Sequence, residues 1–287
     1  MNKFGHHLVL APIRGATNYI YRNAITRSFG GADSSISPYI VTKADGELNA
    51  RQLNDVKASI NDLPTVGQIL TKKSDQFIRT AHIFQELGVE KVNLNMGCPY
   101  PMVANRTKGS GLLLHPERVK ELISEIVKDC PIPFTLKVRL GRENAKEIHE
   151  LIPFINDLGI DDLTIHARIG TQIYKGEVDL DGFESCLEHL NVPPCYNGDI
   201  KSVQDFERLK KRFPTINKWM IGRGLLANPA LLSQIKGQKY NAKEYKDKLF
   251  QMHKETSEGF LNLDNGKSDF LNKMKGQWFF MSEVFED

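Results

Sequence analysis

The chain has 287 residues, of which 40% are hydrophobic and 25% are charged, and its formal net charge at pH 7 is +3. This composition is ordinary for a soluble globular protein. No segment approaches the roughly 20 apolar residues needed to cross a bilayer, and the first residues lack the pattern of a cleaved leader, so we expect no membrane partner. The net charge is too small to indicate nucleic-acid binding over a broad face.

The cysteines indicate a reducing environment. Cys98, Cys130, Cys186 and Cys195 form neither a CxxC pair nor a spacing typical of a zinc site. In a chain of this length they do not resemble a disulfide framework, so we expect a cytoplasmic protein without a bound metal.

Short apolar runs rich in β-branched residues alternate with amphipathic stretches from the N-terminus to about residue 235. Eight of these runs are predicted to be strands. They are Leu8–Ala11, Ser34–Ser37, Thr65–Ile69, Val92–Asn95, Phe134–Val138, Leu163–His166, Cys195–Tyr196 and Trp219–Ile221.

The stretches between the strands carry helix signals. Ser74 and Ser202 stand where N-cap hydroxyls are expected, and Pro116 suits a first helical turn. Gly88 and Gly159 follow helices, as a left-handed C-cap favours. The predicted helices include 74–87, 116–128, 145–158 and 202–213.

Eight strand–helix repeats without a hairpin signal predict a parallel sheet, because parallel strands need crossover helices. Eight units can close into a barrel, and about 250 residues are enough for one. We therefore predict an α/β fold, a (β/α)8 TIM barrel over residues 1–235, with a small C-terminal helical domain over 236–287. That domain should contain helices at 241–260 and 270–285 joined by a turn near 264–266. It holds nine lysines and nine acidic residues, and we expect its aromatic residues Trp278, Phe279, Phe280 and Phe285 to pack rather than to stack on bases.

Polar or glycine-rich strings follow seven of the predicted strands at their carboxyl ends. In a TIM barrel these ends meet at one mouth, where the chemistry takes place. The strings are Ala11–Gly15, Gln68, Asn95–Pro99, Lys137–Arg139, His166–Arg168, Asn197–Asp199 and Gly222–Gly224. The sequence therefore predicts an active site at this mouth.

The last two strings predict a phosphate site. TIM barrels commonly bind phosphate between the loops after strands seven and eight. Gly198, Gly222 and Gly224 allow the backbone to approach an anion, and Arg223 adds planar charged donors. We expect a helix beginning at Asn228-Pro229 to complete the site.

Lys137 follows apolar residues at a strand end, so its ammonium group should enter the mouth. There it can hold negative charge on a reduced flavin ring. Gln68 can hydrogen-bond a ring edge, and His166 stands at the end of the neighbouring strand.

Cys98 lies in a loop at the mouth, between Gly97 and Pro99. An ordinary thiol, with a pKa of about 8.5, is mostly neutral at pH 7 and can donate a proton. A nucleophile would need a partner that lowers its pKa, and no Cys–His signature accompanies this residue. We therefore expect Cys98 to be a general acid.

Longer strings occur in one order along the chain. They are LAPIRGATNYIYR, NLNMGCPYPMV, KGSGLLLHPERV, LKVRLG, IHARIGTQIYKGEVDL, YNGDI and IGRGLLANP. In order and spacing they resemble the motifs of the tRNA-dihydrouridine synthase family over nearly the whole barrel. Asn-Met-Gly-Cys-Pro together with His-Ala-Arg and Tyr-Lys-Gly is the most specific part of this resemblance.

The resemblance implies that bound FMN, reduced by NADPH, transfers a hydride to C6 of a uridine in tRNA while Cys98 protonates C5. It places Asn95, Arg139 and Arg168 near the uracil. It implies FMN contacts from Pro12, Ile13, Arg14, Gln68, Lys137, His166, Asn197, Gly198, Asp199, Gly222 and Arg223. The target base must be turned out of its stack, and basic residues of the mouth loops should make tRNA binding salt-sensitive.

This chain departs from the family pattern at three positions: Ile13 stands where Met is usual, Arg14 where a small residue is common, and Asn18 where Asp is frequent. The helical domain is also shorter than that of the family. Two alternatives stay open: an FMN-dependent oxidoreductase of a small pyrimidine-like molecule, and an RNA-binding protein without catalytic activity. We expect a monomer.

Overall fold

The computed structural model describes residues 5–43, 46–263 and 266–282. Its sheet consists of parallel strands, as the lack of hairpin signals predicts. The strands are β1 His7–Leu10, β2 Ser34–Ile36, β3 Ile40–Val41, β4 Thr65–Leu70, β5 Val92–Met96, β6 Phe134–Gly141, β7 Leu163–Ile169, β8 Pro194–Asn197 and β9 Lys218–Ile221.

The sheet closes on itself. Its strand order is β2-β1-β9-β8-β7-β6-β5-β4-β3, and an additional pairing of β2 with β4 completes the ring. The ring has eight strands, and all eight agree with the predicted runs, so the (β/α)8 barrel is confirmed. The two-residue strand β3 was not predicted; it pairs with the far end of β4, beyond the residues that pair with β2.

Helices connect the strands and surround the barrel. The α-helices are α1 Tyr19–Ser28, α2 Ala50–Leu53, α3 Ser74–Glu86, α4 Pro101–Ala104, α5 Pro116–Asp129, α6 Ile152–Asn156, α7 Leu180–Leu187, α8 Val203–Arg212, α9 Arg223–Ala227, α10 Leu231–Ile235, α11 Ala242–Leu261 and α12 Lys267–Ser282. Short 3-10 turns lie at Ala58–Ile60, Gly109–Leu114 and Glu147–Glu150.

Most of the predicted helix ends are confirmed. The Ser202 hydroxyl accepts a hydrogen bond from the Asp205 amide, and Pro116 is the first residue of α5. Gly88 and Gly159 have φ of +80° and +65°, the left-handed conformation that glycine adopts most easily.

Three local predictions are wrong. Ser74 is the first residue of α3 rather than its N-cap, and its hydroxyl donates to the Glu125 carboxylate instead. The predicted helix 145–158 is divided into a 3-10 turn and the short α6. The helix expected at Asn228 begins at Leu231, while α9 directly follows Gly222.

The strands bury their side chains on both faces. Leu8, Leu10 and Leu94 belong to a large cluster that also includes residues of the surrounding helices. Val9 and Cys195 belong to a smaller separate cluster, as expected when successive strand residues point to opposite faces. Cys186 and Cys195 are buried, Cys130 is half-buried, and the four cysteines are free thiols, as expected without a disulfide framework.

The two C-terminal helices pack on the barrel, α11 against α1 and α12 against α9. Ile20 of α1 shares a buried cluster with Phe260 of α11 and Met274 of α12, and Lys248 donates to the Ser28 carbonyl oxygen. A domain boundary at residue 236 stays a prediction. Asp264 and Asn265 of the predicted turn, and Phe285, lie outside the described residues. Trp278 donates its indole N–H to His253, but Phe279 is 68% exposed, so the predicted packing of the aromatic end is only partial.

In residues 5–43, 46–263 and 266–282, no helix has the length and apolar character that crossing a bilayer requires.

Candidate active site

The carboxyl ends of the strands surround a pocket with about 980 Å³ of empty space, part of it open to solvent. All the predicted site residues except Gln68 and Arg168 line this pocket. They are Pro12, Ile13, Arg14, Asn95, Cys98, Lys137, Arg139, His166, Asn197, Gly198, Asp199, Gly222 and Arg223. The prediction that the polar strand ends meet at one mouth is therefore confirmed, while the role of each residue stays a prediction.

Gln68 lies beneath the pocket and is fully buried. Its amide oxygen accepts a hydrogen bond from Asn95 at 2.9 Å, and its amide nitrogen donates to Asn93, also at 2.9 Å. Asn93 in turn donates to the Thr135 hydroxyl. This line of polar side chains crosses three neighbouring strands and fixes the Asn95 amide.

Asn95 holds the loop that carries Cys98. Its side-chain oxygen accepts hydrogen bonds from the amides of Gly97 at 3.0 Å and Cys98 at 2.8 Å. Because the Asn95 nitrogen is already bound to Gln68, this orientation of the side chain is fixed from below. Asn95 therefore positions the thiol as well as lining the pocket.

The other side of the loop is held equally closely. The Arg139 guanidinium donates to the carbonyl oxygen of Gly97 at 3.0 Å, and the Ser110 hydroxyl donates to that of Cys98, also at 3.0 Å. A Cβ at Gly109 would lie 2.7 Å from the Cys98 carbonyl oxygen, so only glycine fits there. Cys98 is 6% exposed, and its thiol faces the pocket beside the Tyr39 hydroxyl.

Lys137, Arg139 and His166 line the pocket on the neighbouring strands β6 and β7. Burial, reinforced by the charge of Arg139, lowers the pKa of Lys137 to about 7, and the partner of its ammonium is the neutral Asn197 amide, at 2.8 Å. Burial and the charges of Arg139 and Lys137 hold the pKa of His166 well below 6.5. His166 is therefore neutral at pH 7, whereas Lys137 gains or loses its proton close to pH 7.

The lowered pKa of Lys137 predicts a pH dependence of stability in the flavin-free protein. The unfolded chain keeps this proton up to a pKa of 10.5, whereas the folded chain releases it near 7. The unfolded state binds more protons in this interval, so the free energy of unfolding should rise with pH. We expect this rise to be about 1 kcal/mol per pH unit larger in the wild type than in Lys137→Met between pH 7 and 9. Denaturant titrations measure it, and parallel curves for the two proteins would contradict it.

Arg168 lies outside the pocket lining because it supports Asp199 from behind. It is 1% exposed, pairs with the Asp199 carboxylate through both terminal nitrogens, and donates to the Gly176 carbonyl oxygen at 2.8 Å. Arg223 pairs with the same carboxylate at 2.7 Å. Burial alone would raise the pKa of Asp199, but these two arginines prevail and lower it, so Asp199 is ionised and orients Arg223.

Sequence reasoning missed three tyrosines at the mouth. The Tyr174 ring lies beneath two guanidinium groups, with the Arg223 and Arg139 carbons 4.9 Å and 5.5 Å from its centroid. Tyr100 meets the Tyr174 ring edge-on, and Tyr39 contacts the Cys98 thiol. Tyr100 and Tyr174 occur inside the motif strings and could have been singled out, but no pattern in the sequence brings Tyr39 to Cys98.

The loops after β8 and β9 touch through their backbones. A Cβ at Gly224 would overlap the carbonyl oxygen of Ile200 and lie 2.9 Å from the Lys201 Cα. A Cβ at Gly222 would lie 3.3 Å from side-chain carbons of Ala11 and Ile13. Gly224 thus allows the two loops to lie close together, and Gly222 allows the loop after β9 to lie against the loop after β1. Both glycines line the pocket beside Arg223, where the phosphate site is predicted.

We expect Gly224→Ala to lower the free energy of unfolding by about 1–3 kcal/mol, because the added methyl group must displace backbone atoms. It should also weaken flavin retention, since the two loops move apart. Gly276→Ala in α12 is the matched control: beyond its own helix backbone and chain neighbours, an added Cβ meets no atom of the described residues within 4 Å, so the change should be neutral or stabilising by up to about 1 kcal/mol. Chemical denaturation measures the free energy of unfolding of both variants. A Gly224→Ala variant as stable as the wild type would contradict the close contact between Gly224 and the Ile200 backbone.

A family model described as dihydrouridine synthase matches residues 9–277, which cover both the barrel and most of the two C-terminal helices. The chain belongs to the dihydrouridine synthase family. The predicted resemblance is confirmed, and with it the expectation of an enzyme.

Curated relatives agree with this family. The chain is 31% identical over 231 residues to tRNA-dihydrouridine synthase B of Pasteurella multocida, an alignment that covers 79% of this chain and 68% of the relative. It is 31% identical over 238 residues to tRNA-dihydrouridine(16) synthase of Neisseria meningitidis, covering 80% and 71%.

Solved structures of other oxidoreductases share the fold. An old yellow enzyme homologue from Zymomonas mobilis aligns with a TM-score of 0.59 at 12% identity and covers 83% of this chain and 92% of that one. Histamine dehydrogenase from Rhizobium sp. 4-9 aligns with a TM-score of 0.61 at 10% identity, covering 84% and 46%. At these identities the likeness concerns the barrel alone. Membership of the dihydrouridine synthase family, together with the pocket, supports a flavin cofactor.

Proposed function

We propose that this protein reduces the C5–C6 double bond of uridine in tRNA to 5,6-dihydrouridine, with FMN as cofactor and NADPH as the hydride source. The observation that carries the proposal is the content of one pocket. A buried thiol, Cys98, shares it with Lys137, whose ammonium donates to the neutral Asn197 amide, and with Arg223, whose carboxylate partner also pairs with Arg168. The names of the relatives, which act on tRNA, agree with this reading.

The pocket fits a large anionic cofactor. Lys137 has a neutral amide as its hydrogen-bond partner, and both burial and Arg139 disfavour its charge. Such a lysine gains a favourable partner when an anion binds, and its pKa then rises. At the other end of the pocket, Arg223 and the open backbone of Gly222 offer donors that suit a phosphate. The pocket residues Pro12, Ile13, Arg14, His166, Asn197, Gly198 and Asp199, with Gln68 below, would complete the flavin site.

Bound FMN would supply a hydride from its N5 atom, after reduction by NADPH. The remaining chemistry belongs to side chains. Lys137 would hold the negative charge of a reduced ring, and neutral His166 could donate one ring N–H without adding charge. The Arg139 guanidinium donates to three backbone carbonyl oxygens, those of Gly97, Ile169 and Ile173. These hydrogen bonds hold its positive charge in a fixed position at the pocket.

Cys98 would protonate C5 of the uracil. A thiol on a loop held from both sides by Asn95, Arg139 and Ser110 is a positioned proton donor, and positioning is the condition that a general acid must meet first. Asn95 and Arg139 line the pocket beside Cys98 and would contact the base. Arg168 would affect the bound molecules through Asp199, whose carboxylate it orients, rather than by contacting the uracil directly.

The RNA would bind around the mouth after its target base leaves the stack. Arg106 and Lys175 are exposed on the loops after β5 and β7, and such cations contact phosphates without reading sequence. We assign residues 236–287 a helping role in tRNA binding, with the protein acting as a cytoplasmic monomer. Lysines and carboxylates are balanced in that segment, so the barrel loops would provide much of the charge.

The experiment that tests this function is mass spectrometry of tRNA from cells lacking the protein. We expect at least one uridine to lack the two added hydrogens, and a wild-type copy to restore them. In vitro, tRNA should be reduced much faster than free uridine. Equal rates would favour a small-molecule oxidoreductase, and a colourless protein that binds tRNA without taking up FMN would favour a non-catalytic RNA-binding protein.

A further inference from the structure

The Cys98 thiol has a defined partner that the family resemblance does not assign. Its sulfur lies 3.6 Å from the Tyr39 hydroxyl oxygen and is placed to donate its proton to it. Both residues are buried, with 6% and 8% exposure, and they pack in one small cluster with Leu70 and Val103. Sulfur hydrogen bonds are weak in the neutral state, so this contact matters mainly when the sulfur is charged.

The barrel places Tyr39 there through a break in strand pairing. β2 pairs with Thr65 and Val66 at the start of β4, and β3 pairs with Ile69 and Leu70 at its end. Tyr39 lies just before β3, in the interval between the two pairings. The chain advances four residues there, from Ile36 to Ile40, while β4 advances three, so one extra residue shifts the alternation of side chains. This interval directs the phenol across the end of β4 to the loop after β5.

Arg14, in the loop after β1, binds the same Tyr39 hydroxyl. Its guanidinium donates to the Tyr39 oxygen at 3.3 Å, and its central carbon lies 5.4 Å from the ring centroid. A hydroxyl has two acceptor positions and one donor. The thiol and Arg14 use acceptor positions, so neither contact engages the Tyr39 proton. Burial and the neighbouring Cys98 raise the pKa of Tyr39 to about 12, so this proton stays on the phenol at neutral pH.

We propose that Tyr39, oriented by Arg14, is a positioning residue that stabilises the thiolate form of Cys98, an inference that rests on the proposed acid role of Cys98. When the flavin-derived hydride has reached C6, the S–H bond breaks, its proton forms the new C5–H bond, and the electron pair stays on sulfur. Tyr39 then turns its O–H to the thiolate, while Arg14 donates to the phenol oxygen. A proton from solvent restores the thiol.

Among the described residues, three titratable groups interact with this sulfur: Tyr39, Arg139 and Tyr174. Arg14 acts one step further away, through its hydrogen bond to the Tyr39 hydroxyl. Arg139 is bound by backbone carbonyl oxygens, and Tyr174 lies under Arg139 and Arg223. Tyr39 differs from the others because it contacts the sulfur directly. Removing its hydroxyl should therefore change the acidity of the thiol without altering the other groups.

The test is the pH dependence of alkylation of Cys98 by iodoacetamide in the FMN-loaded protein, followed by peptide mass spectrometry. The rate follows the thiolate fraction. The midpoint is the pH at which Cys98 is alkylated at half of its maximal rate. In Tyr39→Phe we expect this midpoint to rise by about one pH unit and the rate of tRNA reduction to fall about tenfold. Tyr245→Phe is the matched control, because its hydroxyl bonds Asn228 away from the pocket, and its midpoint should equal that of the wild type.

Arg14→Gln provides an independent variant if Tyr39→Phe folds poorly, and its midpoint should move in the same direction by a smaller amount. An unchanged or lowered midpoint in a folded, flavin-loaded Tyr39→Phe would overturn the inference. Failure of the proposed function is recognised separately, by normal turnover of Cys98→Ala, because alkylation reports on the thiol whether or not it takes part in turnover.

Discussion

Replacement of Cys98 by alanine is expected to lower the rate of tRNA reduction by about 10²–10⁴-fold, the usual contribution of a positioned general acid. The loop should keep its shape, because the hydrogen bonds that hold it involve the backbone of residues 97 and 98 rather than the thiol. Bound FMN and its reduction by NADPH should therefore persist. The measurement is the anaerobic reoxidation of pre-reduced flavin on addition of unmodified tRNA.

Cys130→Ala is the control for this change. Its thiol donates to the Ile132 carbonyl oxygen just after α5, at the end of the helix far from the mouth, so turnover should stay at the wild-type rate. Wild-type turnover in Cys98→Ala would refute the acid role. Loss of flavin from that variant would instead indicate that the thiol supports the cofactor.

Replacement of Arg223 by alanine is expected to weaken FMN binding by about 10–100-fold, since a hydrogen bond to a charged group contributes about 1.5–3 kcal/mol. The fold should survive, because Arg168 still neutralises the Asp199 carboxylate when Arg223 is absent. Arg223→Lys should lie between the wild type and the alanine variant, as it keeps the charge but loses the planar pair of donors. Fluorescence titration of the flavin-free protein with FMN measures the three affinities.

The matched control is Arg208→Ala. Arg208 is an exposed arginine of α8 that pairs with Asp205 in its own helix, and pairs of this kind contribute little. Its FMN affinity should equal that of the wild type. An unchanged affinity in Arg223→Ala would remove Arg223 from the phosphate site and leave the backbone of the final two loops as the anion site.

The barrel and its mouth could be predicted because both depend on local patterns. Alternating apolar runs define the strands, and parallel strands bring their carboxyl ends to one edge, so Lys137, His166 and Asn197 must meet. The predicted helix starts at Ser202 and Pro116 are confirmed because a helix start depends on a few neighbouring residues. The Ser74 prediction failed because Glu125, 51 residues away, binds its hydroxyl.

The finer arrangement of the site depends on contacts between distant loops. Tyr39 reaches Cys98 from the unpaired interval between β2 and β3, and a two-residue strand such as β3 gives no periodic signal. Gln68 is drawn beneath the pocket by Asn93 and Asn95 on the neighbouring strand, a contact set by register. Arg168 is held next to the pocket-lining Asp199, outside the pocket lining itself, by this carboxylate and the Gly176 carbonyl oxygen. None of these partners is close in sequence to the residue that it orients.

The reaction proposed for this pocket is the reduction of uridine in tRNA. The most direct measurement is mass spectrometry of an unmodified tRNA after incubation with the FMN-loaded protein and NADPH. We predict that at least one uridine gains two hydrogen atoms, and that omission of NADPH or of FMN prevents it. A yellow protein that oxidises NADPH but leaves the mass of every uridine unchanged would contradict the claim.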